Sequence, residues 1–165
     1  MRPLFVPALA AALAAAPEAS GETIIRRMTA EFEYAVRNRI EDRDGFWFAT
    51  FELRGHAFPN EQADRSFALA CIGAAWGNGG VLGGEETVCR LSDDQGVLFG
   101  RVRGIDGTAT AATLALDIYG GRGSFAGYAG SGSAERAMDL TGERPSGRGL
   151  MTLRLALAPS GNGGE

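Results

Sequence analysis

Apolar and polar residues alternate along most of the chain with a period of two, the mark of strands that bury one face and wet the other. Within 28–40, Phe32, Tyr34 and Val36 share one face among charged neighbours. Within 46–55, Trp47, Ala49, Phe51 and Leu53 oppose Thr50, Glu52 and Arg54, with the first set expected to point inward. Between these runs stands Glu41-Asp42-Arg43-Asp44-Gly45, and aspartates followed by glycine suit a tight turn between antiparallel strands. Further strands are expected over 66–76, 85–92, 97–103, 108–119, 132–141 and 149–158, with glycine- and aspartate-rich turns between them. Residues 18–27 read as a polar lead-in with a helical turn about Ile24-Ile25, and 56–64 as a loop. About eight strands at short, regular intervals and no convincing long helix predict an all-β antiparallel barrel or sandwich.

The first residues stand apart from this pattern. Arg2 is followed by a short apolar run from Leu4 to Ala16 that ends in small residues, as a secretory signal does. We therefore expect a signal peptide over 1–19, cleaved between about residues 14 and 19, a single domain over 20–158 and a disordered tail over 159–165. The run is shorter than the roughly 20 apolar residues that a membrane-spanning helix needs, so a secreted or periplasmic protein without a membrane span is expected. Export gives the two cysteines, Cys71 and Cys89, a role. An even pair in an oxidising compartment defaults to a disulfide. With His56 the only histidine, two cysteines do not make a metal site, and no metal or cofactor is expected.

Charge adds an exclusion. All 16 basic residues are arginine, scattered among 20 acids for a net charge of −4. No basic stripe runs along the sequence, so nucleic acid is not an expected partner.

The glycine-rich stretch from Tyr119 to Ser133 holds Phe125 and Tyr128, aromatic anchors that a flexible linker lacks. It is expected to bend a strand back on itself, with these rings plugging the interior. Gly120-Gly-Arg-Gly-Ser-Phe-Ala-Gly-Tyr-Ala-Gly-Ser-Gly132 resembles the GGTG-x-F-x-G-x-x-G signature of allene-oxide-cyclase-like and dirigent-like eight-stranded barrels and their small bacterial relatives. The segment from Cys89 to Arg101 is similar to the strand, acidic turn and strand that precede it there. The resemblance spans roughly residues 66–140, and Arg122 stands where the family has Thr. It implies an eight-stranded barrel. Activities in that family include cyclisation of an oxylipin epoxide and guidance of phenoxy-radical coupling, but no catalytic residue of it finds a match in this chain.

Candidate chemistry is sparse. There is no nucleophile elbow to accompany His56. Adjacent acids in Glu85-Glu86 and Asp93-Asp94 point to opposite faces of a strand, and 93–96 reads as a turn. A barrel can instead turn aromatic and charged residues inward, where Trp47, Trp76, Tyr119 and Tyr128 would line an apolar cavity. Glu52, Arg101 or Arg103 would then stand near its mouth as the few polar groups that orient a ligand; simple core packing of the same aromatics is the stronger default. The expected function is binding of a small apolar or aromatic ligand, or service as an interaction module, and a homo-oligomer is compatible with either. The alternative is a cofactor-free cyclase or isomerase acting on a hydrophobic substrate.

Overall fold

The computed structural model describes residues 23–160, apart from Ala63 and residues 142–144. The expected signal peptide and the residues after Ser160 lie outside the described residues. Eight strands follow one another: β1 (Ile24–Glu41), β2 (Phe46–Pro59), β3 (Phe67–Asn78), β4 (Val81–Ser92), β5 (Gly96–Gly107), β6 (Ala111–Gly123), β7 (Tyr128–Ala137) and β8 (Ser146–Pro159). Each pairs antiparallel with the next, and β8 returns to β1, so the sheet closes as an up-and-down barrel with no helix among the described residues. Closure leaves no unpaired strand edge.

Most strands run longer than the sequence pattern indicates, and β7 is displaced: it covers Tyr128–Ala137 and not 132–141, leaving residues 138–141 outside any strand. Pro159, expected in the tail, ends β8 opposite Tyr128. Ile24 and Ile25 open β1 and take no helical turn, because they pair with Leu157 and Ala156 of β8. Residues 56–59 continue β2 and are not loop, held by pairing with Met28–Glu31 of β1. Gly55 permits this continuation: a Cβ there would collide with the backbone of Glu31.

Inward positions are apolar from every strand, Phe32, Trp47, Phe51, Leu69, Val102, Leu114, Leu153 and Leu155 among them, and form one continuous core. Burying a side chain of this kind stabilises the fold by about 1.5–3 kcal/mol. Outward positions carry charged and polar residues such as Arg27, Thr29, Glu31 and Glu33 of β1, Thr50, Glu52 and Arg54 of β2, and Glu86 and Arg90 of β4, with exposed apolar residues such as Phe46, Phe58 and Val88 among them. Cys71 and Cys89 stand directly opposite each other on β3 and β4 and form a disulfide on the inward side.

The two ends of the barrel differ. At one end the turns are sewn together by backbone hydrogen bonds: Gly79 donates to Gly45, Ala109 to Gly80, Met138 to Thr110 and Leu140 to Ala109. Trp47 plugs this end, its indole N–H donating to the Gly79 carbonyl at 2.9 Å, and Arg39 stacks over the ring while donating to the Leu140 carbonyl. At the other end the Gly-rich β6–β7 hairpin folds over the rim. Gly123 and Gly127 adopt positive φ in its turn, and Phe125 and Tyr128 pack against the core beneath it. That end stays open.

Candidate ligand-binding site

The open end holds a pocket of about 190 Å³. Its apolar lining comes from strand ends that meet only in the closed barrel: Met28 of β1, Phe67 of β3, Leu91 of β4, Leu98 of β5 and Leu155 and Leu157 of β8. Phe125 and Tyr128 of the glycine-rich hairpin complete the wall. The volume is small beside the roughly 300–1,000 Å³ of sites for drug-sized ligands, and close to the roughly 150 Å³ cavity that takes up benzene. One aromatic ring or a short chain fits it.

Two arginines border this pocket, and their circumstances differ. Arg65 is fully engaged: its Nε donates to Asp93 Oδ2 at 2.8 Å and its Nη2 to Gln95 Oε1 at 3.0 Å. Its guanidinium also lies over the rings of Phe67 and Phe125, 4.8 and 6.0 Å from their centroids. Asp93 in turn accepts from the backbone N–H groups of Gln95 and Gly96. Burial pushes the Asp93 carboxyl upward, but the hydrogen bonds from Arg65, Gln95 and Gly96 outweigh it and hold the group below its ordinary value. Arg26, by contrast, is half-buried on the inward face of β1, in phase with Met28. No carboxylate oxygen lies within 4.0 Å of it among the described residues. Arg26 is thus a half-buried cation beside a largely apolar pocket, with no carboxylate partner among the described residues, an arrangement that is costly unless a polar partner meets it.

Of the residues expected to line one cavity, Tyr128 alone reaches this pocket. Trp47 points inward, but at the closed end. Trp76, Glu52, Arg101 and Tyr119 face outward, because a period of two leaves no freedom once the inward set is chosen. Trp76 lies across Gly84 on the outside of β3 and β4, Glu52 pairs with Arg37 and Arg101 with Glu86. Tyr119 is 60% exposed. Arg26, Arg65 and Phe67 were not anticipated, since their meeting depends on register between strands distant in sequence.

A second buried polar group lies deeper, on the far side of the core. Arg136 of β7 donates from Nη2 to Glu85 Oε2 at 2.5 Å and from Nη1 to the Met138 carbonyl; its Nε meets no partner among the described residues. Burial raises the Glu85 carboxyl above its ordinary value, with Arg136 and Thr87 opposing the shift. Neither Glu85 nor Arg136 borders the pocket. A larger concavity, about 1140 Å³, is lined by outward Glu31, Glu33, Arg54, His56 and Arg90, where charges of both signs are mixed, together with buried Phe32, Tyr34 and Leu69. No group of three or more potential metal ligands occurs among the described residues.

The fold and this site define a closed eight-stranded barrel with one plugged end and one open, apolar mouth. No family model matches the chain, and neither the curated proteins nor the solved structures contain a match to it.

Proposed function

We propose that this is an exported, non-enzymatic barrel whose open end takes up a small ligand with an apolar or aromatic body and an acidic group. The observation that carries the reading is Arg26, an inward-facing arginine with no carboxylate within 4.0 Å among the described residues. It stands at the mouth of a pocket whose wall is largely leucine, methionine and aromatic side chains, with Arg65, Gln62, Gln95 and Ser124 at its rim. The apolar body would sit against Leu98, Leu155 and Phe125, and its acid would meet the guanidinium, which favours planar oxyanions through paired N–H donors. The inward disulfide is in keeping with an oxidising compartment, and the resemblance of 120–132 to dirigent-like barrels with a fold of this shape. A cofactor-free cyclase is the second reading. It draws on Tyr128, an ionisable group in the pocket wall. Glu85, the carboxylate inside the barrel, is spoken for by Arg136.

Isothermal titration with phenylacetate, cinnamate and their neutral alcohols tests the reading. The acids are expected to bind, and Arg26→Met to weaken them about tenfold, the value of roughly 1.4 kcal/mol, while leaving the alcohols unchanged. Leu98→Trp, which fills the pocket, should abolish both. Acid binding indifferent to both substitutions, or no binding by any of these probes, overturns it.

A further inference from the structure

Arg27, next to Arg26 but on the outward face of β1, stands directly opposite Arg154 of β8 in the barrel register. Like charges facing each other across an antiparallel pair destabilise the sheet, so such a pair normally has an acid beside it. Seven other arginines have a carboxylate oxygen within 4.0 Å, and these two have none among the described residues. Both line one shallow concavity of about 290 Å³ on the outer wall.

The remainder of that concavity supplies donors. Thr29 faces Thr152 one outward step along the same two strands, so the arginines and threonines form a two-by-two block. Asn60 flanks it on one side, placed by its backbone N–H donating to the Arg27 carbonyl at 2.8 Å. Ser133 flanks it on the other, opposite Arg154 on β7. Glu135, opposite Thr152, is the acid of the concavity and sits at its β7 edge.

We infer that this block binds a tetrahedral oxyanion, a phosphate or sulfate group, between the two guanidiniums with the Thr152 hydroxyl as a further donor, the Thr29 hydroxyl already donating to Asn60 Oδ1 at 3.4 Å. The bound anion neutralises the repulsion that the fold otherwise carries at Arg27 and Arg154, and charge-assisted bonds from arginine are the strong kind. Glu135 limits the site to a single compact group, because a longer polyanion would run against it. The anion arrives free or as a monoester of a small molecule. Because the block lies outside the barrel wall, it works independently of the mouth pocket.

The test uses the folded chain, titrated with inorganic phosphate, sulfate and phenyl phosphate at constant ionic strength, with acetate and chloride as controls. Phosphate and sulfate should raise the melting temperature where acetate and chloride do not. Tighter binding of phenyl phosphate than of phosphate marks an ester as the source, and equal binding marks the free ion. Arg27→Gln and Arg154→Gln should each weaken phosphate about tenfold, as loss of a charged hydrogen bond does, whereas Glu135→Gln strengthens it. Each arginine substitution should also raise the melting temperature without oxyanion and lower it at saturating phosphate, a crossing of sign that a merely structural pair would not give. No stabilisation by phosphate or sulfate beyond chloride, or stabilisation unchanged in the Arg27→Gln Arg154→Gln double variant, overturns the inference. Phenylacetate binding at the mouth should be untouched by that double variant.

Discussion

Glu85 and Arg136 put opposite charges into a core whose other inward positions are nearly all apolar, their side chains 1% and 0% exposed. Removing ions from water is costly, and breaking such a pair from one side typically costs about 3–5 kcal/mol because the remaining charge is stranded. Arg136→Met should therefore destabilise the barrel strongly at pH 7. The sign of its pH dependence follows from Glu85, whose folded carboxyl titrates above the unfolded value of 4.5. The folded state holds that proton more tightly than the unfolded chain, so its contribution is fully present below pH 4.5 and is lost as pH rises through the folded value. Without Arg136 the shift grows. The deficit of Arg136→Met, followed by urea unfolding, should shrink on acidification towards pH 4.5, while Glu85→Gln Arg136→Met shows no such recovery. A deficit independent of pH in both variants would exclude Glu85 as its cause.

Among the elements, the β4–β5 hairpin and the β6–β7 hairpin shape the open end, and both were legible as turns from Asp93-Asp94-Gln95-Gly96 and from the glycine run. Their packing was not, because it also draws on Arg65 of the β2–β3 connection, bonded to Asp93 and stacked on Phe125, beside the direct backbone bond from the Ser124 N–H to the Gln95 carbonyl. Cys71 and Trp76 are separated by five positions, so a strand that turns Cys71 inward turns Trp76 outward. Asp93 allows a test. Its carboxyl titrates below 3.8, so the stability it contributes is present above that pH and lost as pH falls through the folded value. Asp93→Asn should cost about 1–3 kcal/mol at pH 7, the range for a lost charged hydrogen bond. By urea unfolding the gap to the parent chain should close on acidification below pH 3.8. An unchanged gap at low pH would mean that the turn, and not the carboxylate, carries the effect.

For the whole molecule, closure decides between the barrel and the sandwich that the alternation alone allows: the pairing of β8 with β1 removes the edges of the sheet. The half-buried strands themselves follow from local pattern. Which end opens does not, because it depends on turn-to-turn hydrogen bonds at the Trp47 end and on the β6–β7 hairpin at the other, contacts between residues tens of positions apart. The disulfide reports on the same closure. It joins residues 18 apart on neighbouring strands, so it encloses a single hairpin. In the chain-entropy model a loop of this size is worth about 3 kcal/mol. Cys71→Ala Cys89→Ala should lower the unfolding free energy by about that amount while the barrel still forms, since β3 stays paired to β2 along its length and β4 to β5 from Glu86 to Ser92. Mass spectrometry of the parent chain without reductant should show both thiols blocked to alkylation. Circular dichroism of the double variant should retain the β spectrum with a lower urea midpoint. Loss of that spectrum would show that the hairpin needs the covalent tie to join the barrel, and that closure depends on it.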